Sequence, residues 1–102
     1  MDRLANLLTM MRDSPDDPFL LFALALEYKS QGNLAESKGY FERLVNKFSD
    51  YVPTYYQYAK MEEENGNPEQ AGRLYDAGIV KAKAVGDAKT ARELQQAKEV
   101  MD

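Results

Sequence analysis

Gly32 and Gly66 stand 34 residues apart, each inside a short polar loop, Gln31-Gly32-Asn33 and Asn65-Gly66-Asn67. A fixed period of this length constrains the fold more than composition does, because one repeated unit cannot bury its apolar face alone and must pack on a neighbour. At the same offset Ala25 matches Ala59, Asn33 matches Asn67 and Lys47 matches Lys81. Class is kept where identity is lost, pairing Leu21 with Tyr55, Leu24 with Tyr58, Phe41 with Tyr75 and Val45 with Ile79.

On either side of the two loops apolar residues recur at helical spacing, and no alternating strand pattern interrupts them. Asp16 and Asp17 precede Pro18. That order offers a side-chain N-cap and a proline in the first turn, where its missing N–H costs nothing, and predicts a helix over 18–31. Asn33 caps a second helix over 34–48, and Asn67 with Pro68 and Gln70 opens one over 68–85. Ser49 or Asp50 opens a helix over 52–65, with Pro53 tolerated in its first turn. Gly86 closes the long helix and Asp87 caps a last one ending near 101, while a first helix fills 2–12 before the break at Ser14-Pro15.

A 34-residue helix–turn–helix unit resembles the tetratricopeptide repeat, whose pattern is W-x₂-L-G-x₂-Y, then A-x₃-F, then P. The first unit here reads Leu21-x₂-Leu24-Ala25-x₂-Tyr28, then Ser37-x₃-Phe41; the second reads Tyr55-x₂-Tyr58-Ala59-x₂-Glu62, then Ala71-x₃-Tyr75. The chain departs from the pattern with Leu21 and Tyr55 for the Trp, Ala25 and Ala59 for the Gly, Ser37 for the Ala, and Glu62 for the second Tyr. Each small-residue site stays small, and there two helices of a unit can cross closely. One period earlier, Leu7 falls at the Phe41 position and Pro15 at the terminal Pro. The resemblance implies an all-α fold of about six helices, antiparallel helix pairs stacked as a short right-handed α-solenoid. Residues 1–102 then form a single domain: a half-repeat over 2–15, repeats over 18–50 and 52–85, and a polar-faced capping helix over 87–101.

Composition narrows the functions such a fold can carry. At 102 residues, 44% hydrophobic and 29% charged, the chain predicts one folded, soluble domain. It has no Cys and no His, which removes disulfides, thiolate nucleophiles, imidazole bases and the common zinc ligands. No phosphate-binding, nucleophile-elbow or metallopeptidase motif is present. Consecutive Glu62, Glu63 and Glu64 diverge by about 100° on a helix, so they read as a solvated rim rather than as an acid–base pair. Asp13, Asp16 and Asp17 lack the glycine and distal Glu of a calcium loop and read as caps. We therefore expect no enzyme, no metal and no cofactor. The net charge of −4 argues against nucleic acid, even though Tyr51, Tyr55, Tyr56 and Tyr58 form an aromatic cluster that could stack bases. Lys81, Lys83, Lys89, Arg92 and Lys98 read as solvated faces placing cations towards helix C-termini. The longest apolar run, Phe19 to Leu26, is far short of the roughly 20 residues that span a bilayer. With no secretory pattern in residues 1–12, the expectation is a cytoplasmic protein without a membrane partner.

A binding face separates from a packing face on the helix from residue 18. Steps of 100° place Leu21, Leu24, Ala25 and Tyr28 on one stripe and Phe19, Phe22, Leu26 and Lys29 roughly opposite. In proteins similar to the tetratricopeptide family that second stripe lines a concave groove, and the resemblance adds Tyr56, Lys60, Glu63 and Glu64 from the next groove helix. Such a groove implies a scaffold or adaptor that binds a peptide or helix of another protein, with apolar anchors at Phe19, Phe22, Leu26 and Tyr56 and charges for register. Two other occupants fit the same stripe: a second copy of the chain, making a structural homodimer, or the chain's own first helix. Chaperone-tail capture through a carboxylate clamp is not expected, since Phe22, Leu26 and Gln57 offer one amide and no cation where the clamp needs Lys, Asn and Arg.

Overall fold

The computed structural model describes residues 2–101, which form six helices and no strand: α1 (Arg3–Asp13), α2 (Pro18–Ser30), α3 (Leu34–Lys47), α4 (Pro53–Glu64), α5 (Pro68–Ala84) and α6 (Ala88–Met101). Positions 1 and 102 of the expected domain lie outside the described residues. Every expected helix is present, with ends within about two residues of those read from the sequence.

One turn recurs three times and sets the helix pairs. Gly32, Gly66 and Gly86 all have φ near +80° (79°, 81° and 79°), a conformation that favours glycine. Each glycine N–H bonds a carbonyl three residues back, and the next N–H reaches five back, from Asn33 to Tyr28, Asn67 to Glu62 and Asp87 to Ala82. The last helical carbonyls are thereby satisfied, and the residue after the glycine starts the next helix.

The starts show where local chemistry decides. Asp17 Oδ1 accepts from Phe19 N at 2.9 Å, Asn33 Oδ1 from Glu36 N at 3.3 Å and Asp87 Oδ1 from Thr90 N at 3.1 Å, as expected. Two starts differ. Val52, not Ser49 or Asp50, occupies the N-cap of α4 and makes no side-chain cap. The amides of Thr54 and Tyr55 bond the Tyr51 and Val52 carbonyls instead, and Pro53 has no N–H to satisfy. Asn67 holds the N-cap of α5, but its side chain does not cap. Its Nδ2 donates back to Glu62 Oε2 at 3.3 Å. Glu62 is only 2% exposed, so the expectation of a solvated face fails for this residue. A carboxylate taken from water needs donors more than an exposed amide at a helix start does.

The described residues divide into two units, one ending at Phe48 and one beginning at Ser49. In the first, α2 packs on both α1 and α3. Leu7 of α1 joins Leu20, Ala23 and Leu24 of α2 in a core flanked by Leu4, Leu8, Met11, Tyr28 and Tyr40. Against α3, the small residues meet as expected: Ser37 Oγ donates to the Ala25 carbonyl at 2.7 Å, and both residues are fully buried. Tyr28 and Tyr40 stack at 5.7 Å, with the Arg43 guanidinium over the Tyr40 ring.

In the second unit α5 is central, packed on α4 and α6. Ala59 and Ala71 are fully buried there. The tightest approach falls elsewhere, at Gly78. A Cβ at Gly78 would stand 2.6 Å from Tyr55 Cβ on α4 and 2.9 Å from Leu94 Cδ1 on α6, so only glycine admits both neighbours at this spacing. Tyr55 is anchored further by its hydroxyl, which donates to the Ser49 carbonyl at 2.6 Å.

Candidate functional site

The eight residues expected to line a binding face fall four to each unit. On α2, Phe19, Phe22, Leu26 and Lys29 follow one another at steps of three and four and share a helix side. Leu21, Leu24 and Ala25 are fully buried on another side, which is the expected packing stripe. Leu20 and Ala23 are also buried, because α1 lies against them. The first helix therefore covers the Leu20–Ala23 side and leaves Phe19 63% exposed, while Phe22, Leu26 and Lys29 are half-buried.

On α4 three of the four expected residues, Tyr56, Lys60 and Glu63, are brought together. The Lys60 ammonium lies 5.9 Å from the centre of the Tyr56 ring and 3.9 Å from Glu63 Oε2. The same carboxylate oxygen accepts from the buried Tyr75 hydroxyl of α5 at 2.9 Å. Tyr56 and Tyr75 meet edge to face at 6.5 Å, so the ring at the surface stands on the ring in the core. Burial first, and then the hydrogen bond to Glu63, hold the Tyr75 hydroxyl well above the usual phenol range, keeping it a neutral donor. Glu64, one turn from Lys60, is exposed.

Beside this cluster the second unit has a concavity of about 410 Å³, lined by Tyr56 and Lys60 from α4 and by Glu93, Gln96, Ala97 and Val100 from α6. Its volume lies in the lower part of the range typical of ligand sites, enough for one or two side chains. Val100 is 83% exposed at its edge. The four α6 residues were missed in the sequence because the 34-residue period does not reach them. The inward residues of α6 are Ala91, Leu94 and Ala97, which stand 36 positions after Tyr55, Tyr58 and Met61. At that offset Gln96 corresponds to Lys60 and Val100 to Glu64, and a shift of two residues turns a helix face by about 200°.

No family model matches the chain, and no curated protein matches it. Two solved structures of a tetratricopeptide repeat domain protein from Salinibacter ruber do. The solution NMR structure is 38% identical with a TM-score of 0.83, over 86% of this chain and 89% of that one. The crystal structure is 37% identical with a TM-score of 0.78, over 84% of this chain and 96% of that one.

Proposed function

The chain belongs to the tetratricopeptide-repeat family, and on that premise we propose that it is a non-catalytic protein–protein interaction module, a scaffold or adaptor that holds a peptide or helix of a partner. Family membership supports an interaction role in general. The observation that carries the finer reading is Phe19: a ring 63% exposed on a helix whose other sides are filled with fully buried leucine and alanine. Such an exposed ring on an anchored helix is a preformed contact, so binding would not have to order it first. Tyr56 gives α4 the same character, an aromatic surface residue fixed from below by Tyr75.

The partner-binding residues in this reading are Phe19, Phe22, Leu26 and Lys29 on α2 and Tyr56, Lys60, Glu63 and Glu64 on α4. Selection of peptides displayed on phage tests it, using the wild-type chain and a Phe19→Asp, Tyr56→Ala double variant. Enriched sequences that bind the wild-type chain and lose at least tenfold in affinity on the variant are expected. Enrichment of sequences that bind both proteins equally would overturn the assignment. A chain that saturates these faces with a second copy of itself would overturn the heterologous partner.

A further inference from the structure

We propose that the concavity between α4 and α6 receives a basic segment of a partner protein, with a Lys or Arg beside Glu93 and an adjoining aliphatic side chain against Tyr56, Ala97 and Val100. This deepens the interaction reading above and rests on it. The charge follows from how the lining is already paired. Lys60, the one cation of the lining among the described residues, is engaged with Glu63 at 3.9 Å and with the face of Tyr56. Glu93 faces the same space, and no hydrogen bond or ion pair holds it among the described residues. The net field at the site is therefore negative, and the chain as a whole carries −4. An acidic segment would meet Glu93 with only a lysine already paired to Glu63 in return, whereas a basic one gains Glu93 without displacing an existing pair. The aliphatic half follows from Val100, 83% exposed, and from the Tyr56 ring, apolar surface that charge alone leaves uncovered, with the largely buried Ala97 also in the lining. Gln96 adds an amide able to meet a peptide backbone at both a donor and an acceptor. At about 410 Å³ the site has room for such a pair of side chains but not for a whole helix.

The test uses the full chain, labelled with ¹⁵N, and two pools of acetylated, amidated hexapeptides, one centred on Leu-Arg or Leu-Lys and one on Leu-Glu. Addition of the basic pool is expected to shift the amide signals of Tyr56, Lys60, Gln96, Ala97 and Val100, and the shift should weaken as salt is raised. Glu93→Gln should reduce affinity roughly two- to fivefold, the usual effect of one exposed ion pair, and Glu93→Lys by more. Glu93 is exposed, so both variants are expected to keep the wild-type helix content, which circular dichroism verifies. Equal shifts from the acidic pool, or affinity for the basic pool unchanged by Glu93→Lys, would overturn the proposal. Shifts confined to Phe19, Phe22 and Leu26 would overturn it too while sparing the interaction module. No shift from either pool, together with selection of peptides on α2, would have that same meaning; no binding in any assay would remove both readings.

Discussion

Replacing Gly78 with alanine should destabilise this protein, against the usual rule for a glycine inside a helix. The ordinary substitution gains about 1 kcal/mol, because alanine restricts the unfolded chain and favours the helix. At Gly78 the added methyl would stand 2.6 Å from Tyr55 Cβ and 2.9 Å from Leu94 Cδ1. The leucine methyl is the end of a flexible side chain and can swing away. Tyr55 Cβ is tied to the α4 backbone, and its hydroxyl is held at the Ser49 carbonyl, so relief requires α4 and α5 to move apart. Overpacking of a tight core costs about 1–3 kcal/mol, and an immovable neighbour puts this site at the upper end. A cost of about 3 against a gain of about 1 leaves a net loss of about 2 kcal/mol, or a fall in Tm of about 10 °C for a chain of this size. Urea and thermal unfolding followed by far-ultraviolet circular dichroism measures it. Gly39→Ala is the matched control, since Gly39 lies inside α3 with nothing within 4 Å of the new methyl. That variant should gain about 0.5–1 kcal/mol. A Gly78→Ala protein as stable as wild type, or more so, would refute the close-approach reasoning.

Three further outcomes follow from the same structure. Leu24→Ala should cost about 2–5 kcal/mol in urea unfolding because its side chain is fully buried, whereas Phe19→Ala should change stability by about 0.5 kcal/mol or less; similar losses would contradict a presented Phe19. Tyr40, Tyr55 and Tyr75 are all raised above the usual phenol value, in each case mainly by burial, so folding binds their protons more tightly than the unfolded chain does. Their contribution is complete below pH 10 and is lost as pH rises above it; Tyr75→Phe should flatten the alkaline fall in stability, and an unchanged slope would contradict the assignment. Asp87 is held below the usual carboxylate range by the Thr90 hydroxyl at 2.6 Å and then by its backbone N–H, so Thr90→Val should bring the Asp87 pKa, followed by NMR, back upward.

Local chemistry made the helices legible. Asp17-Pro18, Asn33 and Asp87 name their helix starts outright, and the resemblance to the tetratricopeptide pattern implies the close helix crossing at which Ala25 and Ser37 meet. What stayed hidden depends on partners remote in sequence. Glu62 reads as solvated until Asn67 is seen turning back to it. Gly78 reads as an ordinary weak point of a helix, because the reason for it lies on Tyr55 and Leu94, 23 and 16 positions away. The α6 residues of the concavity are hidden because their offset from α4 is 36 residues, two more than the repeat period. On the candidate faces, the sequence names the α2 and α4 residues proposed for binding but not what supports them: Tyr75 beneath Glu63 and Tyr56 is a core residue that only the packing connects to the surface.

The central claim is that the α2 and α4 faces are presented to a different protein. Molar mass by light scattering after size exclusion, over a hundredfold range of concentration, tests it most directly, because a self-associating chain would occupy its own exposed aromatics. The account predicts 11.6 kDa at every concentration. A mass near twice that value, reverting to the monomer on Phe19→Asp, would contradict it and make the exposed ring a subunit contact.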